Sequence, residues 1–309
     1  MYTICYVLTD SERLNYYNEL LISPRSLRLH MSDVKVCVLL DDITAGILKT
    51  AGRRELEDVF HAETKVIIID DDYSQKEKSR YLKMKTREYL SGTILFLDSD
   101  TLLSGPLPEE LSPDPLAMAL DYNTRISDRV DYDELVSLNR RYHYELDRNF
   151  DYYNSGVMWV KDTETTRLFF DSWFTEWNST RKLGHLDQPR LNSVNREMKG
   201  IISRLDDRYN LQVNAVPFPL NSLHEALVIH YFNSFRFSVY LLNDPEYLNL
   251  PYDSEEIGRI ISSPRNAFRP FNIMTADSIK LQFVNSRSFS FLSSLYGFYF
   301  RMINALKRR

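Results

Sequence analysis

Ten residues, Ile94 to Leu103, restrict this chain more than any other stretch. The apolar run Ile94-Leu95-Phe96-Leu97 leads straight into Asp98-Ser99-Asp100. A short β-favouring run of this kind reads as a strand covered on both faces of a sheet. Ionised carboxylates at its end cannot be buried unpaired, because desolvation costs several kcal/mol or more. They need either a cation or a solvent-filled cleft. In an open α/β sheet, ligands bind at the carboxyl ends of the strands. Two hard oxygen ligands there suit Mg²⁺ or Mn²⁺, which commonly hold nucleotide phosphates. Alone, Asp-x-Asp is more often a solvated turn. Here Ser104-Gly105-Pro106 stops the element soon after, and the rest of the chain supplies context.

Strand-like and helix-like segments alternate up to this point. Strands are expected over 2–8, 34–40, 65–70 and 93–97, with helices over 12–30, 43–60 and 75–89 between them. Such alternation implies parallel βαβ units in a doubly wound sheet. Further strands are expected over 116–120, 153–160 and 226–229. An amphipathic helix over 163–178 carries Leu168, Phe169, Trp173 and Trp177 on its apolar side. A shorter one covers 187–196, with Asp187 at its N-cap. The stretch 131–149 reads as helix plus loop. No GxGxxG or P-loop follows an early strand, which weakens a dinucleotide dehydrogenase or P-loop NTPase.

Composition narrows the partners. At 309 residues the chain can bury a large core, and a net charge of -5 argues against a general nucleic-acid binder. Cys5 and Cys37 lie in apolar strands and read as small buried hydrophobes. No Cys/His cluster suggests structural zinc. Neither a signal peptide nor a membrane-length apolar run is visible, so the expected location is the cytoplasm.

Asp98-Ser99-Asp100, Asn154-Ser155-Gly156-Val157, Asp187-Gln188-Pro189-Arg190-Leu191-Asn192 and a strand closing on His230 occur in one order. This ordered set resembles glycosyltransferases of the GT-A fold, closest to family 8 and related nucleotide-diphospho-sugar transferases, over roughly residues 1 to 235. The resemblance implies a Rossmann-like mixed α/β sheet flanked by helices. It implies that Asp98, Asp100 and His230 bind Mn²⁺ or Mg²⁺, which bridges the phosphates of a donor, most often a UDP-sugar. It places Thr9, Asp10 and Tyr16 at the uracil and ribose, and Arg80 and Lys83 near the donor. Ser99 lies within the metal motif, and Asn154, Ser155, Asp187 and Gln188 line the sugar cleft. It also implies retention of anomeric configuration, although Asp187 could on paper serve an inverting reaction as base. Many family 8 members follow the metal-binding His with a Gly and a Lys-Pro-Trp run. Here Tyr231-Phe232-Asn233-Ser234-Phe235-Arg236 follows, so the Gly and Lys are missing from that frame, and Arg236 is a candidate to replace the Lys.

Each residue also has a structural reading. Gly156 either allows close packing or lets a ligand approach the backbone. Asp187 either caps a helix or bonds the sugar. Most basic residues between Gln75 and Arg87 form a solvated helix face. His30, His61, His143, His185 and His224 have no comparable context. Two other functions remain open: a sugar-1-phosphate nucleotidyltransferase, although Thr9-Asp10-Ser11-Glu12 is not the Gly-rich signature such enzymes carry after the first strand, and a non-catalytic glycan-binding protein.

The expected organisation is a catalytic domain over 1–240 and a helical C-terminal extension over 241–309. After Asp277 the extension holds Lys280, Arg287, Arg301, Lys307, Arg308 and Arg309 and no acidic residue. Phe283, Phe289, Phe291, Tyr296, Phe298, Tyr299 and Phe300 are interleaved with them. That mixture suits a helix at an anionic membrane surface, where a lipid-linked saccharide acceptor would lie. The competing expectation is a docked helix burying Leu292, Leu295, Tyr299 and Ile303.

Overall fold

The parallel strands expected from the sequence spread to both sides of the first one. A computed structural model describes residues 2–129, 131–213, 222–232, 240–243 and 245–267, with 291, 292, 294–296, 298, 299 and 302. Its strands are β1 (Thr3–Leu8), β2 (Lys35–Asp41), β3 (Glu63–Ile67), β4 (Ile94–Leu97), β5 (Thr101–Leu103), β6 (Leu116–Leu120), β7 (Tyr153–Val160), β8 (Ser203–Arg204), β9 (Leu211–Gln212) and β10 (Val228–His230). A seven-stranded sheet has the order β3-β2-β1-β4-β7-β6-β8. β1 pairs in parallel with both β2 and β4, whereas β7 runs antiparallel to β4 and β6. A three-stranded sheet, β5-β10-β9, stands beside it. The crevice between β1 and β4 is a topological switch point, the usual ligand position in such sheets.

The helices are α1 (Asn15–His30), α2 (Asp42–Thr50), α3 (Glu55–Asp58), α4 (Gln75–Met84), α5 (Thr86–Tyr89), α6 (Tyr132–Arg141), α7 (Glu164–Thr180), α8 (Gln188–Glu197), α9 (Pro245–Leu248) and α10 (Glu255–Ser262). Two expected helices are each divided. The segment 43–60 breaks after Thr50, where Gly52 takes a positive φ of 67°. The segment 75–89 breaks at Lys85. The strand expected over 65–70 starts two residues earlier and ends at Ile67. On α7, Phe169, Trp173 and Trp177 are buried, but Leu168 is exposed and Phe170 takes the inward place.

Both faces of the large sheet are covered. Ile4, Tyr6 and Leu8 of β1 pack with Tyr17 and Leu20 of α1. The alternate residues Cys5 and Val7 pack with Leu82 of α4 and Trp173 of α7. This alternation explains why β1 reads as a continuous apolar run. Each fully buried large apolar side chain contributes about 1.5–3 kcal/mol. Cys5 and Cys37 are buried, unpaired as disulfides, and opposite in register.

A third cluster joins the small sheet to the segment after residue 240. Leu102, Leu211 and Ile229 pack with Ile22 of α1, Tyr240, Leu242 and Ile257 of α10. The boundary expected at residue 240 falls within this cluster. In the tail, Phe291, Leu292, Leu295, Tyr296, Phe298, Tyr299 and Met302 are helical and exposed. Leu292, Leu295 and Tyr299 are therefore not the buried stripe of a docked helix. Ile303 and the basic residues of the tail lie outside the described residues.

Candidate active site

The carboxylate motif straddles the two sheets. Asp98 N donates to Gly156 O of β7 at 2.8 Å, which continues the large sheet's ladder beyond β4. Asp100 O accepts from Tyr231 N at 2.8 Å, just past β10 of the small sheet. Ser99 is the joint between them. A hydroxyl chain supports the turn from below. Thr101 Oγ1 donates to Asp98 O at 2.8 Å and lies 3.1 Å from Ser23 Oγ, which in turn lies 2.9 Å from the Tyr6 hydroxyl.

His230 ends β10, opposite Thr101 in antiparallel register. Ligand atoms of Asp98, Asp100 and His230 all lie within 4.8 Å of one another. The protonated nitrogen of the imidazole can be deduced from the backbone. Asn154 Oδ1 accepts from Gly156 N at 2.9 Å, so it must be the carbonyl oxygen. It also accepts from Asn210 Nδ2 at 3.1 Å, which turns Asn210 Oδ1 toward His230 Nδ1, 3.0 Å away. Nδ1 must then carry a proton, which leaves Nε2 as the nitrogen turned toward the carboxylates. Nε2 lies 3.1 Å from Asp100 Oδ1; burial pushes the Asp100 carboxyl up, but the imidazole outweighs it and holds the group below the usual range. Adjacent ligands of an octahedral ion with bonds of about 2.1 Å sit about 3 Å apart. Two carboxylates and an imidazole nitrogen, which must be deprotonated for an ion to bind, thus fit Mn²⁺ or Mg²⁺.

Gly156 is fixed by the same ring. A Cβ there would lie 2.1 Å from His230 Cε1. The close approach that the sequence left open is therefore made by the His230 ring.

An ion network lies on the other side of Asp98. Lys83 is buried, with Nζ 2.9 Å from Asp98 Oδ1, 3.1 Å from Oδ2 and 3.4 Å from Ser155 Oγ. Asp187 is buried too. Its Oδ1 lies 3.2 Å from Arg80 Nε, and its Oδ2 accepts from Ser155 Oγ at 3.2 Å. Burial pushes the Asp187 carboxyl up, but Arg80 and Lys83 outweigh it and hold the group below the usual carboxylate range. Although Asp187 occupies the N-cap position of α8, its side chain makes no capping bond. It faces the network instead.

These groups line a cleft of about 830 Å³. Thr9, Tyr16, Arg80, Lys83, Asp98, Ser99, Asp100, Asn154, Ser155, Asp187, Gln188 and His230 all face it. Asp10 does not. Its carboxylate accepts from Ser11 N at 2.8 Å and Tyr17 N at 2.6 Å, where it secures the entry to α1. Thr9 faces the cleft but donates through Oγ1 to Gln75 O at 3.0 Å. Asn154 serves the His230 relay through Oδ1, while its Nδ2 reaches Asp121 Oδ1 at 3.2 Å and Gln188 Oε1 at 3.4 Å.

Several cleft residues escaped the sequence reading. Glu19 projects from α1, and burial together with Asp100, Asp10 and Asp98 pushes its carboxyl up to about 8. His185 lies in the wall beside Arg80. Opposite them, Arg129 is buried between Asp121, at 2.5 Å, and Asp131, at 2.7 Å. Its guanidinium lies over the Tyr122 ring, which stacks with Phe232 beside His230. Tyr122 holds a positive φ of 56°, an uncommon backbone for a non-glycine residue. That strain alone would have been illegible, and Asn210 carries no local motif.

No family model and no curated relative matches the sequence. Solved structures do resemble the chain. The galactosyltransferase LgtC, in complex with donor and acceptor sugar analogues, aligns with a TM-score of 0.54 and 16% identity, over 84% of this chain and 95% of that one. The glycosyltransferase GlyE of Streptococcus pneumoniae TIGR4 aligns with a TM-score of 0.52 and 17% identity, over 85% of this chain and 64% of its own. The seven-stranded mixed sheet with its flanking helices is the fold of GT-A glycosyltransferases.

Proposed function

We propose that this chain is a metal-dependent glycosyltransferase that takes a sugar from a nucleotide-sugar, a UDP-sugar foremost, and passes it to a saccharide. The observation that carries the reading is the convergence of Asp98, Asp100 and His230, whose ligand atoms lie within 4.8 Å of one another, in a cleft at the switch point of the sheet. Held by Asp98, Asp100 and His230, Mn²⁺ or Mg²⁺ would offset the charge that gathers on the departing diphosphate. Lys83 neutralises part of the carboxylate charge when no donor is bound. Asp187 stays ionised under Arg80 and offers its carboxylate to sugar hydroxyls, with Gln188 beside it. A carboxylate held at low pKa is a weak base, which favours retention over an Asp187-driven inversion.

Incubating the protein with a panel of nucleotide-sugars, with Mn²⁺ and with EDTA, tests this reading. Metal-dependent release of nucleoside diphosphate is expected, UDP foremost. Release unaffected by EDTA would remove the metal role, and no release from any donor, with or without a saccharide, would remove the transferase reading.

The reading extends to the acceptor through the tail. Exposed Phe291, Phe298 and Tyr299 on helical positions support contact with an anionic membrane that carries a lipid-linked saccharide. No helix among the described residues is long and apolar enough to cross a membrane.

A further inference from the structure

A second cavity, of about 540 Å³, lies outside the cleft and shares no lining residue with it. Two polar side chains that line it are almost wholly buried, yet each keeps a hydrogen-bonding group unused. Asn195, on α8, is 1% exposed. Its Oδ1 accepts from Ile202 N at 2.9 Å, so that atom is the carbonyl oxygen, and the NH₂ group has no partner among the described residues. Tyr153, the first residue of β7, is 5% exposed. Its backbone N–H and C=O are bonded to the Asn192 side chain at 2.7 and 3.1 Å, but its hydroxyl has no partner among the described residues. Burial pushes that phenol up to about 12, so the hydroxyl keeps its proton and can donate. Buried polar groups are rarely left unsatisfied, and the cavity holds far more than a water molecule, which takes about 30 Å³.

The rest of the lining narrows the chemistry of an occupant. Phe150 is half-buried, and its ring lies against Gly200, where a Cβ would meet Cζ at 3.7 Å. Arg125 and Asp151 bring opposite charges to the cavity, and the Arg148 guanidinium lies over the Tyr132 ring, 4.1 Å from its centroid. The cavity therefore has no field of a single sign to select an ion. An aromatic plate, an amide NH₂ and a phenol hydroxyl match a neutral sugar, whose C–H face can lie on the ring while its hydroxyls accept and donate. The cavity also shares a wall with the cleft. Along 151–154 the residues alternate: Asp151 and Tyr153 line the cavity, Tyr152 and Asn154 the cleft.

We propose that this cavity is a second saccharide site, which holds a neutral sugar unit of the acceptor remote from the hydroxyl that reacts in the cleft. Its role in transfer rests on the reading above; the binding itself does not. Because cavity and cleft stand back to back across 151–154, an extended saccharide held in the one keeps its far end near the other, at raised effective concentration.

An array of neutral and acidic oligosaccharides, probed with the fluorescently labelled full chain in EDTA, tests the binding. Neutral oligosaccharides should retain wild type. Tyr153→Phe removes one oxygen and keeps the packing, which guards against a folding defect; it should weaken retention by roughly three- to tenfold, the value of one hydrogen bond. Asn195→Asp keeps the acceptor for Ile202 N and should do the same, and Phe150→Ala should abolish retention. With a nucleotide-sugar and Mn²⁺, the three variants should raise KM for a retained oligosaccharide while leaving kcat and the acceptor-free release of nucleoside diphosphate unchanged. Retention of wild type by no saccharide, or by acidic ones alone, would overturn the assignment. So would retention undiminished in all three variants, which would put the saccharide in the cleft, or a KM that none of them moves. Retention that the variants lower, in a protein that turns over no nucleotide-sugar, would sink the transferase reading and leave the sugar site standing.

Discussion

Asn210 Oδ1 stands 3.0 Å from His230 Nδ1 and thereby decides which imidazole nitrogen faces the carboxylates. Its orientation is inherited, through Asn154, from the backbone N–H of Gly156. Partners of this kind commonly govern 10- to 100-fold, at order of magnitude, in metal affinity. Asn210→Ala should weaken Mn²⁺ binding by about that factor. Titration of Mn²⁺ followed by electron paramagnetic resonance measures it; affinity equal to wild type would mean that the relay does not orient the ring.

Gly156→Ala should expel the His230 ring. The new Cβ would meet Cε1 at 2.1 Å, far inside contact distance. Overpacking of this kind costs about 1–3 kcal/mol. Thermal melting should show that loss, together with failure to bind Mn²⁺. Adding His230→Ala should recover much of the stability but none of the binding. If the double variant melts as low as the single one, the clash lies elsewhere.

Asp187→Asn should lower turnover far more than it lowers UDP affinity, since Asp187 faces Arg80 and Ser155 rather than the metal. The lowered carboxyl pKa also sets a pH signature. A depressed folded-state pKa stabilises above the unfolded value, about 3.9, and that stability is lost as pH falls through the folded value. The gap between wild type and Asp187→Asn should therefore be constant near pH 7 and close in acid. A gap that widens below pH 4 would contradict the network.

Glu19 predicts the opposite slope. Its folded-state pKa of about 8 lies above the unfolded value, about 4.3. The metal-free wild type should therefore lose stability relative to Glu19→Gln as pH rises from about 4 through 8. Urea denaturation at three pH values in EDTA reads this directly. Parallel stability curves for the two proteins would show that the carboxyl is not perturbed.

A chain ending at Ala267 should stay folded, because it keeps every described residue of the third core cluster. It should lose binding to anionic vesicles. Full-length protein should bind them, and less as salt rises, with each cation near the surface contributing about 1 kcal/mol. Vesicle sedimentation at low and high salt separates this from a docked helix, which would ignore vesicles throughout.

What the sequence conveyed well was periodic or contiguous. β1 is legible because both its faces are buried, and Asp98-Ser99-Asp100 because charge interrupts an apolar run. His230 stood out through the order it keeps with the Asp98, Asn154 and Asp187 segments, since a lone His on an apolar strand is more often structural. Asn210 and Glu19 were not legible, because their meaning lies in partners remote in sequence and a lone polar residue sets no period. Asp10 misled for a related reason. It follows β1 where a ligand contact is expected, yet two backbone N–H groups claim its carboxylate. Leu168 fits the apolar stripe of α7 but falls just outside the contact, and Phe170 fills the place.

The single residue between Asp98 and Asp100 bridges two separately hydrogen-bonded sheets, and His230 arrives from the smaller one. A cation gripping all three would act as a rivet across that seam. Its binding energy would be shared with folding, about 2.7 kcal/mol when the ion is present at 100 times its Kd. Metal scarcity would then be felt first as breathing along the seam, with amides of β5 and β10 exchanging before those of β1, and only afterwards as lost turnover.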